Sequence, residues 1–225
     1  MKKEIYLAKD GYKMNFEIFY PDAKIPEPPL VVFLHGAGER GEKIDHLARH
    51  ALPKLLEEGA EYPTVILVPQ CPENCVWDNI VFDVKTLIDF TVAKFNCDKS
   101  RVYVTGGSMG GFGTWAMGQT FPDFFAAMAP IASGGMTWRC RNLISTPVFA
   151  YHGEFDEAVP VVCAEVMVDA TNSFGGRATL TLLKELRHND GIDTAYEKFG
   201  VIETLLKEKR TDFTPVPEAF SKYFN

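Results

Sequence analysis

Apolar and polar positions along the chain follow two rhythms. Around the turn Asp10-Gly11, residues 5–7 and 16–20 alternate between the two classes, as an antiparallel hairpin with one wetted face does. From Leu30 onward the runs become continuously apolar, at 30–34 and 65–68, so residues 30–34 and 64–69 read as strands covered on both faces. Shorter runs at 101–105, 125–131, 148–152 and 178–183 complete eight predicted strands. Between the later strands, apolar residues at helical spacing predict helices over 44–58, 82–95, 109–120, 161–174 and 196–209. This alternation predicts an α/β fold: an eight-stranded, mostly parallel sheet with helices on both faces. The Pro-rich stretch 25–29 is only a connector, and no repeat or linker divides the sequence, so residues 1–225 are expected to form a single domain.

Composition narrows the class without naming a function. The 225 residues are 46% hydrophobic and 24% charged, ordinary for a globular chain, which sets aside disordered and fibrous proteins. Acids outnumber bases 30 to 23, giving a net charge of -7, and the Lys and Arg residues are scattered. Neither nucleic acid nor a membrane is therefore expected as a partner. The first residues lack the apolar stretch of a signal peptide and no 18 apolar residues run together, so a cytoplasmic protein is expected. Cys71, Cys75, Cys97, Cys140 and Cys163 are odd in number and irregular in spacing, which predicts reduced thiols. Cys71 and Cys75 lack two further ligands at matching spacing, and no metal or cofactor is expected.

The sharpest chemical signal is Gly106-Gly107-Ser108-Met109-Gly110, directly after the strand 101–105 and directly before the helix 109–120. A serine at such a turn is held in a strained backbone conformation, and glycines at 106 and 110 let neighbouring backbones close around it so that Oγ points outward. Its hydroxyl needs an imidazole to take the proton and a carboxylate to orient that imidazole. Of five histidines, His35, His46, His50 and His152 precede Asp156 or lie inside earlier elements, which leaves His188, beyond the last strand, as the base. Asp156, in the loop after the strand 148–152, is the candidate carboxylate, with Glu154, Glu157 and Asp190 as competitors. The chain order Ser108, Asp156, His188 is the order this arrangement takes on a parallel α/β sheet.

A second glycine-rich loop, His35-Gly36-Ala37-Gly38-Glu39-Arg40-Gly41, follows the strand 30–34. Its Gly36-x-Gly38-x-x-Gly41 spacing matches the dinucleotide fingerprint, yet Glu39 would stand near the pyrophosphate, and the next strand ends in Gln70 and Cys71 with no acid for a ribose. A phosphate loop fails as well, because Glu42 stands where Lys is needed. In a hydrolase the same loop supplies the backbone N–H of Ala37, which converges with that of Met109 on the oxyanion formed when Ser108 attacks a carbonyl. One such donor is worth about 3 kcal/mol.

Taken together, these segments resemble the α/β-hydrolase family, specifically its lidless esterase branch of phospholipase/carboxylesterase, feruloyl esterase and polyhydroxybutyrate depolymerase-like proteins. The resemblance spans nearly the whole chain. It rests on the 35–41 loop, on Pro69-Gln70-Cys71-Pro72 with Trp77, on Gly106-Gly107-Ser108-Met109-Gly110-Gly111, and on His152-Gly153-Glu154-Phe155-Asp156 with Val159-Pro160. It implies a triad of Ser108, Asp156 and His188, oxyanion amides at Ala37 and Met109, and Gln70 and Trp77 near the substrate pocket. Around the base the chain departs from the pattern, with Arg187 and Gly191 where such proteins often carry Gly before the His and Trp three residues after it. Only about 16 residues, 132–147, separate two strands where related folds insert a lid, so no lid domain is expected. The function so implied is hydrolysis of a small-molecule carboxylic ester through an acyl-serine, with short-chain or aromatic acyl groups favoured by an uncovered site. A serine peptidase or an acyltransferase with the same triad, and an NAD-dependent oxidoreductase, are the alternatives.

Overall fold

Alternation along the central strands sends neighbouring side chains to opposite sides of one sheet, and the two sets build two separate cores. The computed structural model describes residues 1–213, and eight strands among them form this sheet: β1 (Lys2–Tyr6), β2 (Phe16–Tyr20), β3 (Leu30–Leu34), β4 (Val65–Pro69), β5 (Val102–Gly107), β6 (Ala127–Ile131), β7 (Val148–Gly153) and β8 (Ala178–Leu183). Their spatial order is β1-β2-β4-β3-β5-β6-β7-β8. β2 pairs antiparallel with both β1 and β4, and every pair from β4 to β8 is parallel.

From β3, Leu30, Val32 and Leu34 enter one core, with Leu67 of β4 and Val104 of β5. That face is covered by α2 (Val81–Phe95), α3 (Met109–Thr120) and α4 (Val162–Ser173), through Ile88, Trp115 and Met167 among others. Val31 and Phe33 enter the opposite core with Ile66, Tyr103 and Ala129. It is closed by α1 (Ala51–Glu57), α5 (His188–Lys198) and α6 (Val201–Leu206), through Leu52, Tyr196 and Ile202. Each aliphatic side chain so buried contributes roughly 1.5–3 kcal/mol over leaving it in water. Between β6 and β7 the chain makes only the 3-10 helix Thr137–Leu143, packed on α3 and α4, with no inserted domain.

The expected helices differ in two places. The helix expected over 44–58 is broken into a 3-10 stretch, Ile44–Arg49, and α1. Pro53 explains this, because in a continuous helix its ring would press on the carbonyl of Arg49. At the break Ala51 adopts φ 54, and its amide donates to Asp193 Oδ1 of α5 at 2.8 Å. The helix expected over 196–209 is two helices, α5 and α6, parted at Gly200, which takes φ 58. α5 begins at His188, eight residues earlier than the periodicity indicates, because the polar run Arg187–Asp190 carries no apolar period. The first strand likewise lies at Lys2–Tyr6 rather than 5–7.

The turn from β5 into α3 is the tightest contact in the sheet region. A Cβ on Gly110 would lie 1.8 Å from the Leu34 carbonyl oxygen, and one on Gly106 would lie 2.3 Å from the same atom. α3 therefore starts directly on the end of β3. Gly110→Ala is expected to remove about 3 kcal/mol or more of unfolding free energy, since backbone rather than a flexible side chain must move. Gly38→Ala, where a Cβ meets nothing within 4 Å, should stay within about 0.5 kcal/mol of the parent. Urea titration of both variants measures the difference.

Candidate active site

Ser108 occupies the turn just described, with φ 55 and ψ −122, a conformation costing about 1–3 kcal/mol in a residue with a side chain. Its amide donates to the Ile131 carbonyl at 3.0 Å, and its own carbonyl accepts from Phe112 in α3, so strand and helix hold the strain from both sides. The Oγ–H donates to His188 Nε2 at 2.9 Å. On the far side of the ring, His188 Nδ1–H donates to Asp156 Oδ2 at 2.7 Å. The other carboxylate oxygen of Asp156 accepts from the amides of Ala158 and Val159, at 2.9 and 2.8 Å. The Asp156 side chain is fully buried, and three N–H donors compensate the charge that burial would otherwise penalise.

The structure thus brings Ser108, His188 and Asp156 into one hydrogen-bonded line and leaves the competing acids outside it. Glu154 accepts from the amide of Glu185, Glu157 lies 3.4 Å from the amide of His188, and Asp190 is exposed on the first turn of α5. His188 is itself the first residue of α5 rather than a loop residue. Gly191, the departure from the family pattern noted above, sits where a Cβ would be 3.3 Å from Gly153 Cα, so its small size brings the first turn of α5 against the end of β7. Met109 begins α3, where the helix offers its amide no carbonyl one turn back. Ala37 lies in the short 3-10 turn Ala37–Glu39, next to Gly36, where a Cβ would be 3.9 Å from Ser108 Cβ.

The loop that carries Ala37 is clamped by buried polar groups. His35 Nδ1–H donates to the Gly36 carbonyl at 2.6 Å, and Nε2 accepts from the Cys71 amide at 2.9 Å. Burial lowers the His35 pKa to about 4, so the ring is neutral at ordinary pH and can both donate and accept. Trp77 and Gln70, expected near the substrate pocket, do not line it. Trp77 is buried, and its Nε1–H donates to the His35 carbonyl at 2.9 Å. Gln70 donates to the carbonyls of Glu39 and Lys43 at 3.0 and 2.8 Å and accepts from Asn15 Nδ2 at 3.1 Å. Both residues hold the loop from behind, where buried amide and indole groups find backbone partners.

Beside Ser108 opens a cavity of about 280 Å³. Phe33, Leu47 and Ile192 give it apolar walls, and Glu39, His50 and Asp193 give it polar ones. Burial pushes the Glu39 carboxyl upward, against the opposing pull of His50 and Arg49. Sequence reasoning missed Asp193 and Ile192 as pocket residues, and the signal was weak: they follow His188 on one helix only once that helix is known to start at 188. Among the described residues, no group of three or more His, Cys, Asp or Glu could hold a metal ion. Burial raises the Cys71 thiol to about 12. No helix in the described residues is long and apolar enough to cross a membrane.

No protein-family model matches the chain. Over 135 residues it is 30% identical to feruloyl esterase B of Neurospora crassa, which covers 54% of this chain and 44% of that protein. Over 143 residues it is 31% identical to poly(3-hydroxyalkanoate) depolymerase C of Paucimonas lemoignei, covering 59% of this chain and 34% of the other. The matched part thus spans less than half the length of these relatives. Among solved structures, a thermostable esterase superposes with a TM-score of 0.77 at 28% identity, over 93% of this chain and 63% of that one.

The buried His35 makes the loop acid-sensitive. Its folded pKa, about 4, lies below the ordinary 6.5, so the unfolded chain takes up the proton first and stability falls as pH drops between those two values. The loss from this group should approach about 3 kcal/mol at the acid end. In urea titrations across that window, His35→Gln should be less stable than the parent at pH 7 but show a shallower decline toward pH 4. An unchanged slope would assign the acid sensitivity elsewhere.

Proposed function

We propose that this chain, a member of the α/β-hydrolase fold family, cleaves carboxylic esters through an acyl-serine intermediate. The carrying observation is the unbroken line from Ser108 Oγ through His188 to Asp156, at 2.9 and 2.7 Å. Ser108 attacks the ester carbonyl as its proton passes to His188 Nε2, and Asp156 keeps the ring in the Nδ1–H form and stabilises the imidazolium. The amides of Ala37 and Met109 receive the negative charge that develops on the carbonyl oxygen. His188 then gives its proton to the departing alcohol. Water, activated by the same imidazole, releases the acid and restores the serine.

The likeness to a feruloyl esterase and to a poly(3-hydroxyalkanoate) depolymerase supports the ester class, since what their named substrates share is an ester bond. The cavity beside Ser108 supports a short-chain or single-ring acyl group. At about 280 Å³ it lies at the low end of small-molecule pockets, about 300 Å³ and upward. A panel of p-nitrophenyl acetate, butyrate and octanoate with a feruloyl ester tests this reading, and equal turnover of the octanoate would contradict the size argument. Adding a competing alcohol and analysing products separates hydrolysis from acyl transfer.

Ser108→Ala is expected to fold and to lose on the order of 10⁶-fold in ester turnover. A fluorophosphonate should label Ser108 in the native protein and not after denaturation, because reactivity depends on the assembled neighbours. Labelling of another serine, read by mass spectrometry, would overturn the mechanism. Asp156→Asn should keep the fold and lose up to about 10⁴-fold by favouring the wrong tautomer of His188. Asp190→Asn, on the exposed turn, should change kcat/KM by less than about 3-fold.

A further inference from the structure

We propose that His152 is a positioning residue for the triad acid: it holds the turn that aims Asp156 at His188. The inference deepens the ester-hydrolase reading, on which its kinetic test rests. His152 is the penultimate residue of β7, four residues before Asp156, and is fully buried. Its Nε2 lies 2.9 Å from the Val159 carbonyl oxygen and 3.3 Å from Asp156 Oδ2. A carbonyl oxygen only accepts, so the hydrogen must sit on Nε2. Nδ1 is buried with no hydrogen-bond partner, and in the neutral ring it would be a bare acceptor.

Val159 is consequently gripped at both ends of its peptide units. Its carbonyl takes the His152 N–H, while its amide donates to Asp156 Oδ1 at 2.8 Å, next to the Ala158 amide at 2.9 Å. With Oδ1 occupied by these two amides, Oδ2 is the oxygen presented to His188 Nδ1 at 2.7 Å. The same Oδ2 lies beside the positive N–H edge of His152, so the carboxylate is seated between two imidazoles. A buried imidazole with one unpaired nitrogen costs stability that a leucine of similar size would not. What the position gains in return is the directed Nε2–H. None of these groups lines the cavity beside Ser108 apart from His188, so the clamp acts on catalysis and not on substrate binding.

The test compares His152→Leu, which fills the space and donates nothing, with His152→Gln, whose side-chain amide can donate to the same carbonyl. Turnover of p-nitrophenyl butyrate is measured well below the Tm of each variant. His152→Leu should lose about 10- to 100-fold in kcat with KM within about twofold, since misplacement by a fraction of an ångström acts on the reacting geometry. His152→Gln should recover most of the loss. In proton NMR, the low-field resonance of the His188 Nδ1 hydrogen should weaken or move upfield in the Leu variant and return in the Gln variant. A lowered Tm with unchanged kcat, or equal impairment of both variants, would overturn the proposal by showing a structural role alone. Should His152→Leu fail to fold, nitrogen-15 spectra of the wild-type histidines report the tautomer directly, and an Nδ1–H form of His152 would overturn it as well. Absence of ester turnover in the wild type would sink the ester reading instead, and leave the tautomer and the low-field proton to decide the clamp.

Discussion

The contact between the first turn of α3 and the last carbonyl of β3 is the constraint from which the site follows. With no side chain at Gly106 or Gly110, the helix can begin on the Leu34 carbonyl itself. Ser108, in the turn between these glycines, is held at a positive φ. The first amides of α3, which no carbonyl within the helix can take, lie at its electropositive end beside the loop that continues from Leu34. The strained Ser108 turn, the start of α3 and its closeness to the 35–41 loop all follow from one packing decision. The cores on the two sides of the sheet supply the stability against which that strain is held.

The same residue type does different work at two positions that line one cavity. His35 is buried and held neutral, an internal strut with one nitrogen donating and the other accepting. His188 is partly exposed, at a helix start, with one nitrogen committed to a carboxylate and the other facing a hydroxyl. Burial and partner, not side-chain chemistry, separate the two imidazoles. Around His35, the groups of Trp77, Gln70 and Asn15 are spent on backbone atoms of the 35–43 loop and its neighbours. These bonds hold the loop's amides in place in advance, which is the preorganisation that the proposed oxyanion role of Ala37 would use.

Much of this was legible in the sequence. All eight strands stood where apolar runs place them, within a few residues, because burial on one face or two leaves a period that a linear string preserves. The Ser108 turn was legible because only glycine fits on both sides of it, a local steric requirement. Asp156 and His188 were reached through chain order and family resemblance, and the distances that join them exist only in the folded chain.

What the tertiary structure alone decided were the partners of polar side chains. Gln70 and Trp77 sit in motifs that point toward the pocket, yet their hydrogen bonds go to backbone carbonyls behind the loop. The start of α5 at His188 was hidden because polar residues carry no hydrophobic period; it is set by Gly191 packing on Gly153 and by the line to Asp156. Hydrophobic burial is non-directional and additive along the chain, so its pattern survives in one dimension. A hydrogen bond needs two groups at a fixed distance and angle, from residues as far apart as Asn15 and Gln70 or Ser108 and His188. That geometry is written only when the chain has closed on itself.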